Sequence, residues 1–365
     1  MVLIVGRVSG TINTTKEKVM GGVCKEAMDV TKRIDVLDYL RGFALMGIIL
    51  VNIVPLLSAK LPAPHTMDAS YWRFLYLFVE GRFYTIFTFL FGVGFYIFIT
   101  RANAKGRNGY FLFLRRIAAL FIIGLIHVRY HPGEALTVYA VCGILILPFY
   151  KANKIVNLMF GIIMLIVFAL FSFKLFMVLP LMLLGIAAGQ FHVFERLSNN
   201  RNKVVLFTTV MFALSALGLI YQYQFAPDII GNGSIADYRV TQEFLSIGIS
   251  IGPIVSAFYV GLLVLLLQSS FFQKVLSPLK SYGRMALTNY ILQTALIYLA
   301  GTALNLFNNI SYLESLYLCI SIYIIQLIFS TVWLHLIRFG PLEWIWRVVT
   351  YLEIPPLRKT TKEYK

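Results

Sequence analysis

The sequence predicts an all-α fold: a polytopic transmembrane helix bundle of about ten spans, with N- and C-termini cytoplasmic. Three observations carry that expectation. Of the 365 residues, 59% are hydrophobic and only 13% charged, whereas a soluble domain is near half apolar and a quarter charged. Apolar runs suited to crossing a bilayer recur between short polar breaks, near 39–58, 83–100, 111–130, 134–150, 155–171, 174–190, 204–224, 249–268, 286–304 and 315–337. The formal net charge of +16 is also unevenly placed. With a cytoplasmic N-terminus, the inner segments hold most of the 32 Lys and Arg, and the outer segments hold only Lys60, Arg73, Arg82, Arg129, Lys174 and Arg239. That asymmetry is the positive-inside rule. The basic balance is therefore a topology signal, and nucleic acid is not an expected partner.

Residues 1–32 read as a cytoplasmic tail, 33–352 as the transmembrane domain and 353–365 as a basic cytoplasmic tail. The first residues lack the long apolar core and cleavage site of a signal peptide. Met28 opens a more economical start, so part of the tail is expected to be a gene-model extension. Tyr71–Glu80, "YWRFLYLFVE", is too short to span and suits an interfacial helix. The longest outer loop is expected from Tyr223 to Leu245, where "PDIIGNGSIADYR" supplies loop punctuation. Cys24, Cys142 and Cys319 form neither a disulfide framework nor a zinc spacing.

Polar residues inside apolar runs need a reason. Asp38 and Arg41 are three apart and share a face of the first helix. Asn52 follows Arg41 by close to three turns, so it lies on much the same face. The stripe is either a structural ion pair with a helix-bonded amide or the lining of a polar cavity. A second cluster, "GLIHVRYHPGEALTVYA", puts His127 at the end of the third span and Glu134 at the start of the fourth. A turn through Pro132 and Gly133 brings them to one depth, near the outer junction. A His with a carboxylate beside it is what acyl or proton transfer needs; a hydrogen bond between helices or a Glu at a helix N-terminus is the structural alternative. His131 reads as a loop residue, while His65 in an outer loop could reach the same cavity. At the inner side, Arg115, Arg116 and Arg284 could snorkel to lipid phosphates or hold an anionic ligand. Arg82, Asn289 and Gln293 are expected in structural or cavity-lining roles. The aromatic residues read as belt, core or lipid-facing material, and Gly92 and Gly94 as close-packing sites. No nucleotide loop, metalloprotease motif or hydrolase elbow is present.

Four stretches, "LDYLRGFALMGIILVN", "GRFYTIFTFLFGVGF", "GRMALTNYILQ" and "RFGPLEWIWR", together resemble the YeiB-like family of bacterial integral membrane proteins, from about Arg33 to Leu352. The first also resembles the membrane acyltransferase superfamily, which includes sugar O-acyltransferases and the lysosomal heparan glucosaminide N-acetyltransferase. That resemblance implies an acyl-CoA donor on the cytoplasmic side and no tightly bound cofactor. The implied acceptor is a small molecule or glycan of the cell envelope, bearing a hydroxyl or amine. The O-acyltransferases carry a His at the position of Asn52. The N-acetyltransferase branch has Asn there and its active His in the following outer loop, near His65. The superfamily's His-turn-Asp element stands here as His127 with Glu134, without the usual Trp.

The resemblance therefore implies a multi-pass enzyme of the bacterial plasma membrane. The CoA phosphates would meet Arg41, Arg115, Arg116 or Arg284. His127 or His65 would act as base, Glu134 would orient it, and Asn52 would stabilise the developing oxyanion. The bilayer itself and a homodimer are the other partners expected. A transporter or exporter of a small molecule is the rival, since polar groups around a cavity also suit translocation. A scaffold without turnover would leave Arg41 in the first span unexplained.

Overall fold

The computed structural model describes residues 34–197, 200–230 and 234–358. Met28 and Cys24 of the expected tail, and residues 359–365, lie outside them. The described chain is helical, with no strand beyond an isolated bridge between Ile337 and Arg358. Each of the ten apolar runs falls on helix. Six helices are long and apolar enough to cross a membrane: Asp35–Leu56, Met67–Ala104 (a composite), Gly109–His127, Arg201–Tyr223, Ile235–Leu266 and Tyr312–Leu336.

Helices α1 (Asp35–Leu56) and α3 (Arg82–Ala104) form the middle of the bundle. Their contact with neighbours depends on missing side chains. Gly283 of α11 (Ser277–Arg284) lies against the Asp38 carbonyl and Gly42 of α1, where any Cβ would overlap backbone. Gly92 of α3 meets the backbone of α7 (Val178–Gln190) at Met182 in the same way. Gly94 was expected to serve such packing; instead the position of its missing Cβ lies 3.3 Å from Arg41 Nη2. It leaves room for a guanidinium rather than a helix.

Helix α2 (Met67–Phe74) is capped by Thr66 and runs into a π-helical turn, Leu75–Val79. Its apolar stripe is buried on the bundle, with Trp72 stacked on Phe244. Gly81 then takes φ +76°, a left-handed conformation that glycine adopts without strain, and turns the chain into α3. Two hairpins follow: α4 (Gly109–His127) with α5 (Leu136–Leu145), and α6 (Lys154–Leu170) with α7. Helix α8 (Arg201–Tyr223) pairs with α9 (Ile235–Leu266), whose start shortens the expected outer loop. The reason is a capping box, Ser234 with Asp237, that initiates helix inside the stretch read as loop. Beyond a short α10 (Ser270–Val275) and α11 come α12 (Ala286–Ala303), α13 (Tyr312–Leu336) and the amphipathic α14 (Pro341–Tyr351).

The helices end at different heights. Thr294 Oγ1 meets His127 Nε2 at 2.9 Å, yet Thr294 stands about 14 Å before the end of α12 at 1.5 Å per residue. Ser172, in the α6–α7 turn, bonds Ser250 Oγ and the Ser246 carbonyl, halfway along α9. The tips of both hairpins thus meet the flanks of taller helices, not their ends. His127 ends α4 and Glu134 precedes α5, so both stand at one hairpin tip, as the short turn implied.

Candidate functional site

A cavity of about 1530 Å³ runs between α1, α3, α4, α12 and α14. It is lined by α1 from Ile34 to Asn52, about 27 Å along the helix axis. Its middle is apolar. Phe83, Phe87, Phe91, Phe95 and Phe98 descend the cavity face of α3 at three- and four-residue steps, opposite Leu45, Ile48, Ile117 and Leu120. The sequence marked these phenylalanines only as belt or core; their common wall depends on which face α3 turns inward.

One end is cationic. Asp38 is 2% exposed and pairs with Arg41 at 3.1 Å, as the three-residue spacing implies. Arg116 lies over the Trp346 ring at 3.7 Å and faces Phe98 at 4.9 Å. Arg347 covers Phe339 and Tyr351. Arg41, Arg116, Arg284 and Arg347 all line the cavity. Arg41 bonds Asp38 and Arg284 the Arg338 carbonyl, while the ring contacts of Arg116 and Arg347 engage the faces of their guanidiniums and not the N–H edges. Arg115 is off the wall: it rests on Phe111 and reaches the Thr350 carbonyl. Glu343 of α14 also lines this end. Its Oε1 accepts from the Leu287 and Thr288 backbone at 2.8 and 3.1 Å, and its Oε2 from the Thr288 hydroxyl at 2.5 Å, so it caps α12. Burial pushes its carboxyl above the usual range, against the pull of those Thr288 and Leu287 bonds. "RFGPLEWIWR" marked the family resemblance, but nothing local in it tells that Glu343, Trp346 and Arg347 meet a cavity.

The other end carries the His–Glu turn. His127 Nδ1 stands 3.8 Å from Glu134 Oε2, both side chains being buried, and Thr294 holds Nε2. Glu134 also accepts from the Leu136 and Thr137 backbone, so it caps α5 while facing His127. The structural alternative, a Glu at a helix N-terminus, is thus realised by a carboxylate that also faces His127. Glu134 and Tyr290 line the cavity, and His127 lies behind them. Asn52 and Tyr84 share this end.

His131 lies in the turn, as expected, but is buried there. It is 4% exposed, its Nδ1 lies 3.4 Å from Thr294 Oγ1, and its ring stands 5.3 Å edge-on to His127. Burial, then the neighbouring His127, lowers its pKa to about 4. The i, i+4 spacing in "HVRYH" was the available signal. Thr294 and Tyr290 come from a helix more than 150 residues away, with no local mark. His65 is exposed in its loop at φ 58° and does not line the cavity.

Three further residues belong elsewhere. Arg82, 1% exposed, turns away from the cavity to bond the Glu80 and Gly248 carbonyls and Gln222 Oε1. Asn289 bonds the Tyr282 carbonyl and Ser330, while Gln293 bonds the Tyr282 hydroxyl and the Leu45 carbonyl. These amides face α1, α11 and α13 because that side of α12 is packed against them. They join helices and do not line the cavity.

Fold and site thus define a helical membrane protein with a long internal cavity, cationic at one end and bordered by a buried His–Glu pair at the other. A family model described as a protein of unknown function (DUF418) matches residues 188–353. The chain is 59% identical over 326 residues to an uncharacterized 39.9 kDa protein in the amylase 3′ region of Bacillus acidopullulyticus, covering 88% of this chain and 94% of that one. It is 28% identical to YxaH of Bacillus subtilis (91% and 97% covered) and 27% identical to YeiB of Escherichia coli (89% and 98%). The chain belongs to this YeiB-like DUF418 family. No solved structure matches it.

Proposed function

We propose that the protein is a multi-pass acyltransferase of the bacterial plasma membrane, with about ten spans and both termini cytoplasmic. It moves an acyl group from cytoplasmic acyl-CoA to a hydroxyl or amine of an acceptor at the outer face. The observation that carries this reading is the single cavity joining the arginine end to the His127–Glu134 end. The CoA phosphates meet Arg41, Arg116, Arg284 and Arg347, since guanidinium forks suit phosphate oxygens. The pantetheine arm lies along the Phe wall. At the far end the acceptor oxygen or nitrogen attacks the thioester carbonyl, a C–O or C–N bond forms and the C–S bond breaks. The acceptor's proton passes to the Glu134–His127 pair and from it to the departing thiolate. Asn52 donates to the oxygen on which charge develops.

The test is thermal unfolding of the detergent-purified protein with CoA and short acyl-CoAs. A ligand binding only the folded state raises the midpoint with its concentration. A saturable shift that needs about tenfold more CoA in Arg116→Ala supports the reading; no shift with any CoA species, in folded protein, overturns it. The exposed residues at both ends of the cavity, Lys105 and Arg107 at one and Gly133 and Lys174 at the other, favour transport of a small molecule as the second reading. Unmodified solute moving into vesicles that contain the protein would establish that instead.

A further inference from the structure

The cavity mouth opposite the arginines is bordered by two hairpin tips. Gly133, Glu134 and Ala135 of one tip line it, with Lys174 and Leu175 of the other. Lys174 forms an ion pair with Glu80 at the start of the α3 turn and stands over the Tyr84 ring at 5.9 Å. Inside the mouth the groups are polar: Asn52, Glu80, Tyr84 and Glu134.

Outside it they are mostly apolar, Arg129 of the α4–α5 tip being an exposed exception. The α6–α7 tip exposes Leu170 at 76%, Phe171 at 65%, Phe173 at 49% and Phe176 at 59%. These rings form one patch, Phe171 stacked on Phe173 and Phe173 tilted against Phe176, directly beside Leu175 on the cavity wall. The α4–α5 tip likewise exposes Val128 and Tyr130. Water-facing turns are normally polar, and a contiguous exposed apolar patch marks an interaction surface. Helices α5 and α7, with ten and thirteen residues, are the shorter arms of their hairpins, beside α4 and α6 with nineteen and seventeen. Their tips abut the flanks of α12 and α9 (His127 to Thr294, Ser172 to Ser250). This mouth therefore opens beside taller helices, over a low apolar rim, instead of upward into water.

We infer that the acceptor drawn in by this mouth is a membrane amphiphile. Its hydroxyl- or amine-bearing head enters past Lys174 toward Glu134 and Asn52, while its hydrocarbon chain stays in the bilayer against Phe171, Phe173, Leu175 and Phe176. The polar-inside, apolar-outside order of side chains matches such a molecule; a free sugar would gain nothing from the rim. The assignment of this molecule as acceptor rests on the acyl-transfer reading, but its binding does not.

The experiment uses the full chain in vesicles of phosphatidylethanolamine and phosphatidylglycerol that contain a photoactivatable phosphatidylethanolamine, with radiolabelled acetyl-CoA supplied in parallel. Photolabel is expected on Leu175 and also inside the mouth, at Tyr84 or Glu80. In Phe173→Ser/Phe176→Ser the label inside the mouth should fall about tenfold, as befits the loss of apolar contact, while label on the lipid-facing surface of α8 persists as the control for insertion. Label confined to outer faces such as α8 would overturn the proposal. Acetyl label recovered in chloroform-soluble lipid supports both the amphiphile and acyl transfer. Acetyl label only in a water-soluble product overturns the amphiphile and leaves acyl transfer standing. Photolabel in the mouth with no acetyl transfer to any acceptor sustains the binding site and sinks the enzymatic reading.

Discussion

Helix α12 carries two buried polar clusters on different sides, and they behave differently. On one side Asn289 and Gln293 join Tyr282, Gln326 and Ser330 in a network that ties α11, α12 and α13 and reaches the Leu45 carbonyl of α1. On the other, Thr294 and Tyr290 border His127, His131 and Glu134 beside the cavity. The first uses its hydrogen-bonding capacity between helices. The second places titratable groups next to open space. Buried polarity alone therefore does not mark a site in a membrane protein; adjacency to a cavity separates a fastener from a candidate catalyst.

The largest test of that contrast is His127→Ala. Losing a general base should lower acyl transfer roughly 10²- to 10⁴-fold, with insertion and size-exclusion profile unchanged, while Gln293→Leu keeps the rate within a few-fold. Equal loss in both variants would break the distinction. Next in size is Arg116→Ala, which should weaken the CoA-dependent thermal shift about tenfold in concentration, the scale of one charge-assisted hydrogen bond. Gln293→Leu, in turn, should lower stability by about 0.6–2 kcal/mol, the range for interhelical hydrogen bonds in membranes, measured by unfolding in mixed micelles. A neutral result there would reduce the network to packing.

The smallest effect concerns pH. His131 has a folded pKa of about 4 against an ordinary value of about 6.5. Between those values the unfolded chain binds the proton and the folded chain does not, so stability falls as pH drops from about 6.5 toward 4. His131→Gln should flatten that part of the melting-temperature profile. An unchanged slope would move the acid sensitivity to another group.

What could be read from the sequence was local or compositional. The helical membrane class follows from composition and run length. The Asp38–Arg41 pair follows from a three-residue spacing, and the nearness of His127 and Glu134 from a short turn, because neither needs a distant partner. The same logic failed where an outside element decided. His131 lies in the turn as read, but its burial is made by Tyr290 and Thr294 of α12, far along the chain. His65 looked able to join the site, but its loop leaves it exposed. Arg82, Asn289 and Gln293 read as either structural or cavity-lining, and packing toward α8, α9, α11 and α13 decided for the structural role. The sequence by itself determined that this chain builds a helical membrane protein with charges it must manage. Only the tertiary structure decided which side of each helix meets the cavity, since 1.5 Å of rise and 100° of turn per residue set spacing along a helix but not the identity of its neighbour.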